Sequence, residues 1–225
     1  MNFRKSWVPT KDGSYTIKIN SLKETYHSLH GAVTESEFVY VKNGLHFWQN
    51  THLEAKAAVL EMGYGTGLLA YLNFLDQFDS KMNIDYTALE AYPLTISDLE
   101  RLNYDRFIAS EECVSFLHFS KLEWEKVHQL TTDYSLLKRE ILFEKFESKS
   151  LFDVIYYDAF GAHAQPDLWN TEWMKKCFDL LNHGGVWVSF CAKGSVRRAL
   201  QEVGFQAERL PGPPGKREML RAVKP

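Results

Sequence analysis

The chain alternates between two hydrophobic patterns. Ala57–Glu61, Ile84–Leu89, Leu151–Tyr157 and Val186–Cys191 are short, nearly unbroken apolar runs, the pattern of strands covered on both faces of a parallel sheet. Between them lie stretches whose apolar residues recur at helical spacing: Gly67–Phe78, Pro93–Phe107, Glu111–Trp124, Thr171–Leu181 and Ser195–Val203. A third strand is predicted at Thr131–Leu137, although His118-Phe119-Ser120 would equally close one. Gln206–Leu210 and Met219–Val223 flank the turn Pro211-Gly212-Pro213-Pro214-Gly215 and predict a closing antiparallel hairpin. Strands alternating with helices in this way predict an α/β fold, a Rossmann-like and mostly parallel doubly wound sheet of six or seven strands. Upstream, Tyr15, Ile17 and Ile19 alternate after the turn signal Asp12-Gly13, and Phe38-Val39-Tyr40-Val41 precedes a second one at Asn43-Gly44. Residues 1–50 therefore read as an extension packed on a core of residues 51–225.

Composition narrows this picture without redirecting it. With 225 residues, 45% hydrophobic and 24% charged, the chain has the length and apolar content for one packed α/β domain. The three cysteines include no C-x-x-C, and the eight histidines show no metal-ligand spacing. Neither a disulfide framework nor a metal site is expected, in keeping with a reducing cytoplasm. No run approaches the ~18 apolar residues of a membrane span, so no membrane partner is expected. Net charge is −3 but unevenly spread: from Lys193 onward eight basic residues face three acids, leaving +5 there and −8 on residues 1–192. A basic face on an acidic body is one reading, and a solvated basic helix is the other.

The candidate chemistry lies at the ends of the predicted strands, where open α/β sheets bind ligands. Glu61-Met62-Gly63-Tyr64-Gly65-Thr66-Gly67 joins strand one to a helix. A glycine-rich strand-to-helix turn either serves the backbone alone or brings bare N–H groups to a ligand. A dinucleotide fingerprint needs a third glycine where Leu68 stands, and Glu61 would repel a pyrophosphate. A carboxylate there suits a cationic ligand end. An acid followed by G-x-G-x-G resembles the first motif of S-adenosylmethionine-dependent methyltransferases. Glu90, with Ala91 after it, ends strand two a little over ~20 residues past the glycines, where nucleotide folds hold ribose hydroxyls. Glu140 follows strand three and is a candidate for the adenine edge. Asp158, in Tyr157-Asp158-Ala159-Phe160, ends the most apolar strand. A carboxylate there can orient an amine and take its proton, and Phe160 can stack a planar base.

These pieces resemble the methyltransferase domain of the MnmC family and its stand-alone MnmD counterparts. The resemblance is carried by Leu22-Lys23-Glu24-Thr25, the glycine loop, Glu90-Ala91-Tyr92-Pro93-Leu94, Tyr157-Asp158-Ala159-Phe160 and Pro166-Asp167-Leu168-Trp169. Gly194-Ser195-Val196-Arg197-Arg198-Ala199-Leu200 and Lys216-Arg217-Glu218-Met219-Leu220 complete it. It implies a class I methyltransferase fold and methylation of the aminomethyl group on a tRNA wobble (thio)uridine, with S-adenosyl-L-methionine as donor. It also implies cofactor contacts on Glu61, Gly63, Tyr64, Gly65, Thr66, Gly67, Glu90 and Ala91, with Asp158 as active-site acid. The family often carries Gly-Asp where this sequence has Arg139-Glu140. For the RNA, Lys193, Arg197, Arg198, Lys216 and Arg217 are the candidate phosphate contacts. With the chain ending at Pro225, the flavin-dependent activity of bifunctional relatives is not expected. The alternatives are a methyltransferase acting on a small-molecule or protein amine, a nicotinamide-dependent oxidoreductase, and a non-catalytic RNA-binding factor that keeps the cofactor pocket.

Overall fold

The structure, a computed structural model, describes residues 4–52, 56–102, 104–106 and 114–225. Eight strands form the main sheet: β4 (Ala57–Met62), β5 (Ile84–Glu90), β6 (Val127–Thr131), β7 (Tyr134–Glu140), β8 (Phe152–Tyr157), β9 (Leu181–Ser189), β10 (Gln206–Pro211) and β11 (Glu218–Val223). Their order is β10-β11-β9-β8-β4-β5-β7-β6. β4, β5, β7, β8 and β9 run parallel, and antiparallel hairpins close both edges. The doubly wound sheet and its C-terminal hairpin match the sequence reading. The partner strand β6, at the other edge, was not expected from it.

Period-two alternation in the central strands feeds two cores. Val59, Tyr86, Tyr156 and Val188 face α3 (Leu68–Ser80) and the N-terminal helix, whereas Leu60, Ile155, Tyr157 and Trp187 face α6 (Thr171–Leu180) and α7 (Gly194–Glu202). Being covered on both sides is why these strands read as continuous apolar runs.

The N-terminal region differs most from expectation. β1 (Lys5–Pro9) and β2 (Tyr15–Ile19) pair across the Asp12-Gly13 turn, and β3 (Glu24–Thr25) adds to β2. Residues 32–49 then form one helical run: α1 (Ala32–Ser36), a π-helix over Glu37–His46, and α2 (Phe47–Gln49). Asn43-Gly44 is thus inside a helix and not at a turn. A Cβ at Gly44 would lie 2.9 Å from both the Tyr156 ring and Val188, so glycine serves close helix-on-sheet packing here.

The predicted helices over 93–107 and 111–124 also shrink. Their described parts are α4 (Ile96–Leu99), a 3-10 turn at Tyr104–Arg106, and α5 (Phe116–Ser120), the last covering the residues offered as an alternative strand. Thr95 caps α4 by accepting from the Asp98 amide, and Ser115 caps α5 the same way from His118. Phe107, Glu111 and Cys113 lie outside the described residues. No helix among the described residues is long and apolar enough to cross a membrane.

Candidate active site

The parallel strands end side by side, and one cavity of about 1120 Å³ opens over them. The glycine loop follows β4. Gly63, Gly65 and Gly67 have φ of 96°, 53° and 81°, the left-handed region that disfavours other residues. A Cβ on Gly63 would stand 2.5 Å from the Asp158 carbonyl oxygen, and one on Gly67 2.5 Å from the Tyr64 hydroxyl. The glycines are therefore required first by the protein's own packing. Gly63, Tyr64, Gly65 and Thr66 line the cavity, whereas Gly67 lies behind it as the N-cap of α3.

Three acids surround this loop. Glu61 is buried in β4 and accepts from the Tyr86 hydroxyl at 3.0 Å. Burial first, then the neighbouring Asp158 and Glu90 carboxylates, push its proton affinity well above the ordinary range, against the Tyr86 bond. Glu90 ends β5 and accepts the Gly65 amide on one oxygen and the Tyr92 amide on the other, each at 2.9 Å. Those bonds fix its orientation and lower its proton affinity, but burial outweighs them and raises it. In register beside Glu90 stands Glu140, the exposed last residue of β7. It lines the cavity with Ala91 and the apolar Ile141, Leu142 and Phe143.

Asp158 follows β8, its amide bonded to the Met62 carbonyl at 2.9 Å. Its carboxylate is half-buried in the cavity wall and accepts the Tyr40 hydroxyl at 2.6 Å. Burial pushes the carboxyl up to about 7, helped by Glu35 and opposed by the Tyr40 bond and by Lys216. Phe160 sits edge-on to Tyr26, with ring centroids 5.1 Å apart. Phe190 lines the same wall beneath the Lys216 ammonium, 3.8 Å from its ring centroid.

The basic residues divide. Lys193, Lys216 and Arg217 line the cavity, while Arg197 and Arg198 lie on α7 outside it. Lys216 is an ion-pair partner of the buried Glu35 at 2.5 Å, which corrects its grouping with free phosphate contacts. Arg209 and Arg221 pair with Glu218 and Glu208, and Lys224 donates to the carbonyls of Phe178 and Leu181. Glu208 and Glu218 are already counted in the net +5 of this segment, so among these pairs only Glu35 offsets it from outside.

Sequence reading missed a whole wall. Glu24, Tyr26, His27 and Glu35, all from the N-terminal region, line the cavity, and Tyr40 reaches Asp158 from behind it. Buried His27 faces Thr16, Thr66 and Tyr104, and burial lowers its imidazole to about 4, so it is neutral at pH 7. No local spacing marks these residues. Leu22-Lys23-Glu24-Thr25 is legible as a motif, but nothing in its local sequence assigns it to this wall.

Three carboxylates converging at strand ends, with Lys216 among the described residues as the cation that acts on Asp158, make a site complementary to a cation. A sulfonium bearing an ammonium and a ribose supplies that charge and the hydroxyl donors. Fold and site together define an S-adenosylmethionine-dependent methyltransferase. The model of a family described as S-adenosyl-L-methionine-dependent methyltransferase matches residues 114–225, just under half of the chain, in agreement with S-adenosylmethionine as the methyl donor.

Among curated proteins the similarity runs to the methyltransferase part of tRNA 5-methylaminomethyl-2-thiouridine biosynthesis bifunctional protein MnmC. The protein of Actinobacillus pleuropneumoniae is 28% identical over 219 residues, 90% of this chain and 32% of its own length. That of Idiomarina loihiensis is 26% identical over 211 residues, 88% of this chain and 35% of its own. The chain thus spans about a third of the length of these relatives. The crystal structure of MNMC2 from Aquifex aeolicus shares the fold, with a TM-score of 0.78, 21% identity, and coverage of 99% of this chain and 71% of that one.

Proposed function

We propose that this chain methylates the primary amine of the aminomethyl group on a tRNA wobble uridine, acting in the cytoplasm. The observation that carries this reading is the position of Asp158, a carboxylate of raised proton affinity in the cavity that also holds the glycine loop and Glu90. The names of the MnmC relatives supply the RNA. Glu61 would face the ammonium of the donor, Glu90 the ribose hydroxyls, and Glu140 with Ile141 and Leu142 the adenine edge. In this reading residues 1–50 are an extension that completes the cleft of a core at residues 51–225.

When bound, S-adenosylmethionine supplies an electrophilic methyl carbon. The protein's task is to present a neutral nitrogen to it. A primary alkyl amine is protonated at neutral pH, so one N–H proton must leave as the nitrogen lone pair is used. Asp158, as the anion, orients the N–H groups and takes that proton. Its proton affinity near neutrality makes it a far better acceptor than an ordinary aspartate. Phe160, with Tyr26 and Phe190 nearby, offers ring faces for the uracil, and Lys193 and Arg217 lie at the mouth for phosphates.

The test is methyl transfer to undermodified bulk tRNA, with and without prior ribonuclease. Ribonuclease-sensitive incorporation, recovered as methylaminomethyl uridine by nucleoside mass spectrometry, is the expected result. Ribonuclease-resistant incorporation would assign the activity to a small-molecule or protein amine. Turnover by Asp158→Ala equal to wild type would remove the carboxylate from the mechanism.

A further inference from the structure

The π-helix Glu37–His46 is the least ordinary backbone among the described residues, and it delivers one side chain to the site. π-helical backbone is rare and tends to occur where a side chain must be re-aimed for function. Tyr40 is 1% exposed and is clamped by its surroundings. Its ring packs edge-on against Tyr156 at 5.4 Å, and Gly44, one turn on, lets the helix lie directly on Tyr156 and Val188. The Phe190 backbone acts on the phenol in the direction that favours its anion. The phenol donates its proton to Asp158 Oδ1 at 2.6 Å. Chains of this kind polarise each link, so the phenol is a stronger donor than an isolated one.

We infer that Tyr40 is the positioning residue of the site, one that fixes the Asp158 carboxylate through Oδ1, favours its anion, and leaves Oδ2 to meet the acceptor amine. The inference rests on Asp158 being the proton acceptor. Three groups from three elements act on that carboxylate. Glu35 from α1 repels its negative charge and Lys216 from the loop before β11 attracts it, whereas Glu61 of β4 is acted on by Asp158, which raises its proton affinity. Tyr40 alone among them acts by a direct hydrogen bond. Without it, burial and Glu35 would act on Asp158 against Lys216 alone.

The experiment compares wild type with Tyr40→Phe, which keeps the ring and removes the hydroxyl. Carboxyl titration is followed by 13C NMR on aspartate-labelled protein, with the Asp158 signal assigned by its loss in Asp158→Asn. The Asp158 midpoint is expected to move up by about one to two pH units, as loss of a hydrogen bond to a charged group predicts. The acidic limb of kcat/KM for undermodified tRNA should move with it, while affinity for S-adenosylmethionine by calorimetry stays within about twofold. Replacing Tyr40 with 3-fluorotyrosine, a stronger donor of nearly the same shape, should move the midpoint down, and this decides the matter if Tyr40→Phe fails to fold. An unmoved midpoint in the folded variants, or a pH-independent loss of activity, overturns the inference. If Asp158→Ala kills turnover and the midpoint is unmoved, only the role of Tyr40 fails. If Asp158→Ala retains turnover, the reading of Asp158 fails, and the role of Tyr40 falls with it.

Discussion

Replacing Asp158 by asparagine should make the protein more stable and inactive at once. The carboxyl is pushed from the ordinary 3.8 to about 7 by burial, with Glu35 adding and Tyr40 and Lys216 subtracting. Below pH 4 both the folded and unfolded chains carry it protonated, and it costs nothing. Between pH 4 and 7 the unfolded chain releases the proton and the folded chain holds it. Stability from this group is therefore lost as pH rises through that window and stays lost above it. At ~1.4 kcal/mol per pH unit the full span is roughly 4 kcal/mol. Because the carboxylate faces an open cavity, a net gain of about 1–3 kcal/mol at pH 8 is the expectation for the variant. Asparagine keeps the shape and still accepts from Tyr40, so packing is unchanged. For a chain of this size the gain corresponds to about 3–10 °C in Tm. Thermal melts of both proteins at pH 4, 6 and 8 read it directly. The difference should be near zero at pH 4 and grow to pH 8, with methyl transfer absent throughout. A Tm difference that is flat with pH, or a less stable variant at pH 8, would refute the account of Asp158 as a carboxyl held at a stability cost.

Gly63→Ala should lose about 1–3 kcal/mol in denaturant melts and lose cofactor binding, because its Cβ meets the Asp158 carbonyl at 2.5 Å at a φ of 96°. Near-wild-type binding by calorimetry would contradict that. Glu90→Ala frees the amides of Gly65 and Tyr92 together and should weaken S-adenosylmethionine at least about tenfold in the same assay, the cost of ~1.4 kcal/mol in lost contacts. Arg217→Ala should reduce the salt slope of tRNA affinity by about one phosphate contact. Lys216→Met, by contrast, should chiefly lower Tm by exposing Glu35 to an unpaired burial, and an equal change in salt slope for both variants would dissolve that distinction. Lys138, fully buried with its ammonium on the Ser120 carbonyl and near the rings of Trp124 and Tyr64, is lowered by burial to about 8. Its folded form releases a proton more readily than the unfolded chain. Its cost is therefore greatest below pH 8 and fades toward pH 10.5, so the Tm of Lys138→Met relative to wild type should fall over that range.

By itself the sequence determined the parts whose cause is local. Central strands buried on both faces must be apolar along their length, so β4, β5 and β8 could be placed to within a residue, while β9, expected from Val186, begins five residues earlier at Leu181. The glycine loop was legible because a tight strand-to-helix turn needs residues that tolerate positive φ, and Glu61, Glu90 and Asp158 because each ends such a strand. Tertiary structure decided whatever depends on residues far apart in the chain. Asn43-Gly44 spells a turn to any short window, yet Gly44 is there because Tyr156 and Val188 leave no room for a Cβ. Lys216 reads as a free charge in the basic tail until folding brings Glu35 to it from the N-terminal region. Tyr40 and Asp158 stand 118 residues apart and share no pattern that links them, so only the packing of the π-helix on the sheet makes them one unit. Backbone propensity and periodicity act over a few residues, and they fixed where the acids would lie. The orientation, proton affinity and partners of those acids come from burial and contacts that exist only once the chain has closed.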